Sequence, residues 1–349
     1  MERDISLLEG LMAAGFTEVA SPADGIVVLQ GQDHDLTKPY LSFDETGLQT
    51  AWDSTSVGAF EKCPRFYQLR HVEGWQPKRR SVHLVFGGHY AKALERFHRL
   101  QASGMSEDDA TIEVVRLLML ETWEHELDAE GNRLPGTGHA WESDHPAKSR
   151  DTLIRSVVWY LDQFGDDDAM QTLILDSGEA AAELSFSLPL TDEYLYCGHI
   201  DRVVVYEGRK YVQDQKTSGT TITARYFEGF KPDVQMGGYT FAGMVGFDLP
   251  VAGVVIDAAQ IAVGFTRFER GFVTYGKDQV AEWKESTLAT IEEAKRAHEA
   301  GFYPMRRSSC GNYGGCEFRK VCSAARHVRH NILRTDFEQA RRWDPLEKR

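Results

Sequence analysis

The chain has 349 residues, of which 42% are hydrophobic and 26% are charged, an ordinary balance for one large globular domain or two modest ones. Its formal net charge of −14 argues against a protein that coats nucleic acid non-specifically, because attraction to phosphates needs local lysine and arginine. The five cysteines are too sparse for a secreted disulfide framework, and no apolar run approaches the roughly 20 residues that span a bilayer. We therefore expect a soluble, cytoplasmic protein.

The predicted elements change in type along the chain. Residues 1–50 indicate a short helix, a strand (GIVVLQ) and polar connections, which we treat as an N-terminal extension. Helical spacing dominates residues 51–178, and alternating strands followed by a long amphipathic helix occupy residues 179–300. Residues 301–349 hold three cysteines and a basic tail, with eleven Lys and Arg against five Asp and Glu. Helices, then a mostly antiparallel sheet, then helices predict a mixed α/β fold.

The segment GHIDRVVVYEGRKYVQDQKT is predicted to form a β-hairpin. If Glu207–Gly208 is a two-residue turn, Asp201 lies directly opposite Asp214, and Lys216 shares the face of Asp214 because side chains alternate along a strand. A turn at Gly208–Arg209 pairs Asp201 with Lys216 instead. Either register predicts that two carboxylates and a lysine converge at one end of a strand pair.

Two opposed carboxylates suggest a cation site. Like charges directly across a hairpin are destabilising, and a divalent cation would offset that cost. Oxygen ligands suit Mg²⁺ or Mn²⁺, which can activate water and neutralise charge on a phosphate, while a nearby lysine adds further positive charge. The alternative for these residues is a solvated sheet face with a cross-strand salt bridge.

The ordered pattern GHIDR and DQKT resembles the PD-(D/E)XK nuclease superfamily, and more closely the RecB-like exonucleases, which include the AddB nuclease domain and the CRISPR-adaptation nucleases. Four further stretches resemble the same family: STSVGAFEKCPRFYQLR, FGGHYAKALERF, AELSFSL and QMGGY. The resemblance implies a restriction-endonuclease-like core, with a central mixed sheet flanked by helices, a helical insertion and a C-terminal cluster-binding segment.

The resemblance also implies roles for individual residues. It makes His89 and the backbone carbonyl of Gln215 metal ligands beside the two aspartates, with Lys216 positioning the attacking water. Glu183 would be a ligand or would position water, and it could also simply face solvent. Gln235 and Tyr239, which share a helix face, would line the DNA path, although core packing of Tyr239 explains that spacing too. A packed or solvated side chain is likewise the alternative for His89.

The segment CGNYGGCEFRKVC places Cys310, Cys316 and Cys322 one ligand short of a closed tetrahedral site. The fourth could be Cys63 or Cys197. A proline follows Cys63, as in ferredoxin-type sequences, whereas a cluster at Cys197 would crowd the carboxylates and a buried thiol is simpler there. The wide spacing favours an iron–sulfur cluster over zinc. The resemblance points to a [4Fe–4S] cluster on Cys63 and the three tail cysteines, which would clasp the start of the domain to its end.

We therefore expect a metal-dependent DNA exonuclease that acts on single-stranded DNA or DNA ends in recombination, repair or phage replication, with a helicase or recombination protein as a candidate partner and no membrane association. Basic segments should contact the phosphates, with Lys78, Arg79, Arg80, Arg306 and Arg307 as candidates. An endonuclease or flap nuclease on the same fold stays open. So does a non-catalytic iron–sulfur module that binds DNA or a partner, although such a module has no need for opposed carboxylates.

Overall fold

A seven-stranded mixed sheet lies at the centre of the chain. The computed structural model describes residues 16–21, 26–31, 41–79, 81–126, 128, 134, 136–166, 169–245 and 251–347. The strands of these residues are β1 (Phe16–Ser21), β2 (Ile26–Gly31), β3 (Ala51–Trp52), β4 (Trp75–Pro77), β5 (Trp123–Glu124), β6 (His139–Ala140), β7 (Met170–Thr172), β8 (Ala182–Pro189), β9 (Leu195–Tyr206), β10 (Arg209–Ser218), β11 (Val251–Ile261), β12 (Thr266–Val273) and β13 (Phe337–Gln339).

The central sheet has the order β12-β11-β10-β9-β3, and β7 and β8 also pair with β9. Strands β10 and β11 are parallel, as are β3 and β9, whereas the other pairs of this sheet are antiparallel. The predicted mixed α/β fold is confirmed, and its sheet is mostly antiparallel as expected. The parallel β10–β11 pair arises because a helical crossover separates the two strands in sequence.

Helices cover both faces of this sheet. They are α1 (Ser54–Lys62), α2 (Pro64–Tyr67), α3 (Val82–Ala102), α4 (Glu107–Glu121), α5 (Arg150–Phe164), α6 (Ala224–Glu228), α7 (Val234–Val245), α8 (Lys277–Glu299), α9 (Arg319–Ser323) and α10 (Arg329–Asp336), with a π-helical turn at Gln68–Val72 and 3₁₀ turns at Arg307–Gly314 and Arg326–Val328. Among the described residues, none of the helices is long and apolar enough to cross a membrane.

Two hydrophobic cores hold these layers together. One packs α1, α7 and α8 against the sheet through side chains such as Phe60, Met236 and Trp283. The other packs α3, α4 and α5 against the opposite face through side chains such as Phe97 and Leu118. The apolar positions of these helices recur every three or four residues, so each helix presents one apolar face to the sheet.

The C-terminal segment returns to the start of the domain. Strand β13 pairs antiparallel with β4, and Phe318 and Phe337 stack at 5.0 Å between ring centroids in a small separate core. The predicted change from helices in residues 51–178 to strands and a long helix in residues 179–300 is found, although the first range also contains the short strands β3 to β7. The predicted N-terminal helix lies outside the described residues, while the GIVVLQ strand corresponds to β2.

Candidate active site

The β9–β10 hairpin turns at Glu207–Gly208, which decides between the two predicted registers. Arg209 pairs with Tyr206, and the ladder continues to the pair Gln213–Arg202. Glu207 and Gly208 both have positive φ, 47° and 73°, as a two-residue type I′ turn requires. This register brings Asp201 level with Asp214 rather than with Lys216.

Strands β9 and β10 stop pairing just before the two aspartates. Asp201 Oδ2 accepts a hydrogen bond of 3.0 Å from the backbone N–H of Gln215, in the place where a further ladder bond would form. Asp214 is almost fully buried, with 1% of its side chain exposed, and its Oδ2 lies 2.6 Å from the Nζ of Lys216. The predicted convergence of two carboxylates and a lysine is therefore present.

Burial and mutual repulsion dominate the electrostatics of this site. Burial, and next the charge of Asp214, raise the pKa of Asp201 to about 7, against the opposing effects of Lys216 and the Gln215 N–H. Burial also raises the pKa of Asp214, although Lys216 opposes it. Burial alone would lower the pKa of Lys216, but the two aspartates outweigh that effect and the pKa is raised. Lys216 is thus charged at neutral pH, and the charge of Asp214 disfavours ionisation of Asp201.

These shifts predict a pH-dependent stability. A carboxyl whose pKa is raised on folding binds protons more tightly in the folded state, so without added cations its contribution to the free energy of unfolding falls as pH rises from about 4 to about 7. Asp201→Asn should remove this contribution. Denaturant unfolding of both proteins between pH 4 and 8 in EDTA checks it. Identical pH slopes for wild type and variant would contradict the shifted Asp201.

Helix α7 supplies two further side chains to the site. Lys216 Nζ donates a 3.0 Å hydrogen bond to Gln235 Oε1, and Gln235 Nε2 donates to the Tyr239 hydroxyl at 2.9 Å. A hydrogen bond from Tyr239 to Asp214 partly offsets the rise in the pKa of that carboxyl. The spacing of Gln235 and Tyr239 on one helix face therefore places both beside the lysine and the aspartate.

Asp233 also belongs to the site, and the sequence reasoning missed it. Its Oδ1 accepts hydrogen bonds from the backbone N–H of Gln235 at 2.8 Å and of Met236 at 3.0 Å, so it caps the start of α7. Its charge also helps to raise the pKa of Asp214. An aspartate just before an apolar helical run is an N-cap signal, but that signal does not reveal the neighbouring carboxylate.

Glu183 lies on β8 between two residues that pair with the strand of Asp201. Leu184 pairs with Ile200 and Ala182 pairs with Arg202, so Glu183 is level with Asp201. Its charge contributes to the raised pKa of Asp201. Its φ of 51° is unusual for a residue other than glycine, and such backbone strain often occurs at functional sites.

His89 does not join the carboxylates. On α3, a Cβ at Gly87 would lie 3.5 Å from Thr217 Oγ1, so this side of the helix faces β10. His89 is about 200° further round the helix axis. There it lines a cavity of about 830 Å³, and neither Asp201 nor Asp214 lines that cavity. Its ring lies 6.4 Å from that of Trp141. Burial lowers its pKa, and the charge of Glu121 opposes this shift.

Four of the five cysteines line one small cavity of about 20 Å³: Cys63, Cys310, Cys316 and Cys322. The backbone N–H of Arg306 points at Cys63 Sγ at 3.4 Å. Burial raises the pKa of Cys322, and the charges of Cys316 and Cys63 raise it further. In the described part of the chain, no three or more His, Cys, Asp or Glu side chains are placed close enough together to hold a metal ion.

The fifth cysteine lies elsewhere. Cys197 packs with Ala51 and Leu195, and its Sγ is 3.4 Å from Ser187 Oγ. Burial raises its pKa to about 12, so it is a protonated thiol under ordinary conditions. The arrangement separates Cys197 from the other four, and the assignment of cluster ligands stays a prediction.

Two of the basic residues that were predicted to contact phosphates are hydrogen-bonded within the protein. Lys78 Nζ donates to the backbone carbonyl of Thr335 at 2.6 Å, and Arg306 donates to the carbonyl of Glu61, so both fasten the C-terminal segment. Arg79 and Arg307 are exposed. The remaining candidate, Arg80, lies outside the described residues.

Comparisons with known proteins bear on this arrangement. A sequence model of the PD-(D/E)XK nuclease superfamily matches residues 53–323, which include the carboxylate hairpin, α7 and all five cysteines. No curated protein matches the chain. Among solved structures, the chain is similar to a crystal structure described as a "Putative exonuclease" from Eubacterium rectale, with 11% identity and a TM-score of 0.43 over 76% of this chain and 86% of that chain.

Proposed function

Because the chain belongs to the PD-(D/E)XK nuclease superfamily, we propose that it is a divalent-cation-dependent DNA exonuclease that hydrolyses phosphodiester bonds in single-stranded DNA or at DNA ends. The observation that carries the proposal is the placement of the buried Asp214 beside the partly buried Asp201, with Lys216 contacting both Asp214 and Gln235 of α7. A solvated salt bridge does not explain this arrangement, because Asp214 is buried and Asp201 is partly buried, and desolvation raises the pKa of both.

The donor set at this site fits Mg²⁺ or Mn²⁺. Two carboxylates and a backbone carbonyl are hard oxygen donors, and the carboxylate repulsion calls for further positive charge. Asp201, Asp214 and the Gln215 carbonyl would hold the ion, with Glu183, which is level with Asp201, as an additional carboxylate. The proposal leaves out His89, whose side chain lies in a different cavity. When bound, the cation would neutralise charge on the scissile phosphate and favour ionisation of a water molecule.

The protein side chains would position the reactants. Lys216, charged because its pKa is raised, would orient the attacking water and balance the charge that develops on the phosphate oxygens. Gln235 accepts a hydrogen bond from that lysine, and Tyr239 donates toward Asp214, so both restrict the side chains that carry the chemistry. This fixed arrangement should lower the reorganisation needed during the reaction.

We also propose a structural [4Fe–4S] cluster on Cys63, Cys310, Cys316 and Cys322. Support comes from the placement of these four thiols around one cavity and from the N–H of Arg306 that points at Cys63 Sγ. Phosphodiester hydrolysis needs no redox step, so these cysteines would act by joining the C-terminal segment to α1 and α2. The process would be recombination, repair or phage replication, with a helicase or recombination protein as partner.

Digestion of end-labelled linear DNA and of circular DNA, each single- and double-stranded, tests the activity with Mg²⁺ or Mn²⁺. An exonuclease should degrade the linear molecules progressively and leave closed circles intact. Cleavage of closed circles at a comparable rate would contradict exonuclease action and indicate an endonuclease on the same fold.

DNA binding should weaken steeply with salt and depend on the exposed arginines. Because acidic residues outnumber basic ones and the net charge is −14, attraction to phosphates should depend on local basic segments. Arg79→Glu and Arg307→Glu should each weaken binding and reduce the salt slope by about one. The matched control is Arg116→Glu, which reverses an exposed arginine that already pairs with Glu113. Fluorescence anisotropy at several salt concentrations measures this, and unchanged binding by both variants would place the DNA path elsewhere.

A further inference from the structure

A network of buried polar side chains lies on the face of the sheet opposite to the aspartate pair. Arg202, Gln213 and Asp257 are 6%, 0% and 3% exposed, and they lie on the adjacent strands β9, β10 and β11. Arg202 Nη1 donates to Gln213 Oε1 at 2.9 Å, and Gln213 Nε2 donates to Asp257 Oδ2 at 2.6 Å. The amide of Gln213 thus uses both its acceptor and its donor to link three strands.

Each end of this network is hydrogen-bonded to further elements of the fold. Arg202 Nε donates to Thr172 Oγ1 at 2.9 Å on β7. At the other end, Asp257 Oδ2 also accepts hydrogen bonds from Tyr160 on α5 and from Arg270 on β12. Burying these groups is costly unless they are paired, so the network tolerates few other arrangements.

The network lies next to the two aspartates and Gln215 of the candidate site. Arg202 follows Asp201, Gln213 precedes Asp214, and Asp257 is the register partner of Gln215 in the parallel β10–β11 pair. The backbone ladder between β9 and β10 ends at the pair Gln213–Arg202. The side-chain bridge between these two residues is therefore placed at the last ladder pair, just before the strands separate around Asp201.

From this placement we propose that Gln213, through its bridge to Arg202 and Asp257, is a positioning residue that sets the separation of the Asp201 and Asp214 carboxylates and thereby the affinity of the site for a divalent cation. The inference rests on the proposed function. An apolar side chain at position 213 would fill the space but could not bridge the guanidinium and the carboxylate, so the two strand ends would lose their defined spacing. Residues that orient metal ligands typically change metal affinity about 10- to 100-fold when replaced.

Gln213→Met tests the proposal because it keeps the length of the side chain and removes the hydrogen bonds to Arg202 and Asp257, together with a longer one to Met170 Sδ. The Mn²⁺ dissociation constant, measured by electron paramagnetic resonance, and the Mn²⁺ concentration for half-maximal cleavage should both rise by about tenfold or more. The rate at saturating Mn²⁺ should fall less. Gln49→Met is the matched control, because Gln49 is also a buried glutamine, bonded to Ala51 and Tyr67, but lies outside the site. It should lower the melting temperature and leave both Mn²⁺ constants unchanged.

Tyr160→Phe keeps the test decisive if Gln213→Met does not fold, because it removes only one hydroxyl, which donates to Asp257 and accepts a 3.5 Å hydrogen bond from Arg270. It should raise both Mn²⁺ constants by a smaller factor in the same direction. Folded variants that lose thermal stability but keep wild-type Mn²⁺ constants would overturn the proposal and leave the network a purely structural feature. If the wild-type protein neither binds Mn²⁺ nor cleaves DNA, the proposed function fails first. If it does both and the variants match it, this inference alone fails.

Discussion

Asp214→Ala and Lys216→Ala should each remove DNA cleavage and leave DNA binding close to that of the wild type. Both side chains act on the reacting phosphate, and loss of one such preorganised charged group costs about 10²–10³-fold in rate or more. Binding affinity should instead come from basic residues elsewhere on the surface. Single-turnover cleavage of labelled DNA and anisotropy measurements on the same preparations separate the two effects.

Asp214→Ala should stay folded, so loss of its activity can be separated from loss of its structure. Burial raises the pKa of Asp214, so its ionised form is unfavourable in the folded protein without a cation, and alanine there should not lower the stability of the cation-free protein strongly. Glu269→Ala, which removes an exposed carboxylate paired with Arg267, should leave cleavage unchanged. Full-rate digestion by either purified site variant would refute the site assignment.

Cys63→Ser should give colourless, poorly soluble or thermally weakened protein. Cys63 is 8% exposed and sits at the end of α1, so its loss would release the C-terminal segment from the start of the domain. Because cluster binding and folding are coupled, we expect the melting temperature to fall by more than about 5 °C. Iron content and thermal unfolding measure the two effects.

Two variants serve as comparisons for the cysteine prediction. Cys197→Ser should stay brown and active, since that thiol lies apart from the other four. Asp214→Ala should stay brown and folded but inactive. If Cys63→Ser keeps its full iron while Cys197→Ser loses it, the fourth ligand is Cys197, and the proposed link between Cys63 and the C-terminal cysteines is wrong.

Local sequence patterns were enough to predict the centre of the site. The Glu207–Gly208 turn and the alternation of side chains along a strand predicted that Asp201, Asp214 and Lys216 would converge, and the structure has that arrangement. The helical spacing of Gln235 and Tyr239 likewise predicted that they share a face. These features depend on residues close together in sequence, for which turn geometry and periodicity are informative.

The parts that the sequence did not reveal depend on long-range packing. His89 follows two glycines, and the helix pattern alone does not tell which side of α3 meets the sheet. Gln213 lies in the mostly polar strand β10 and Asp257 in the mostly apolar strand β11, 44 positions further along the chain, and their contact depends on the parallel pairing of these two strands. Such pairings are set by tertiary structure, so local propensity carries no signal for them.

The most direct test of the account is digestion of end-labelled linear DNA by the wild-type protein in Mg²⁺, followed by addition of EDTA and then of excess Mg²⁺. We expect cleavage in Mg²⁺, its loss when EDTA removes the cation that Asp201 and Asp214 would hold, and its return with excess Mg²⁺. Cleavage that continues unchanged in EDTA, or no cleavage of any DNA substrate in either Mg²⁺ or Mn²⁺, would contradict the account.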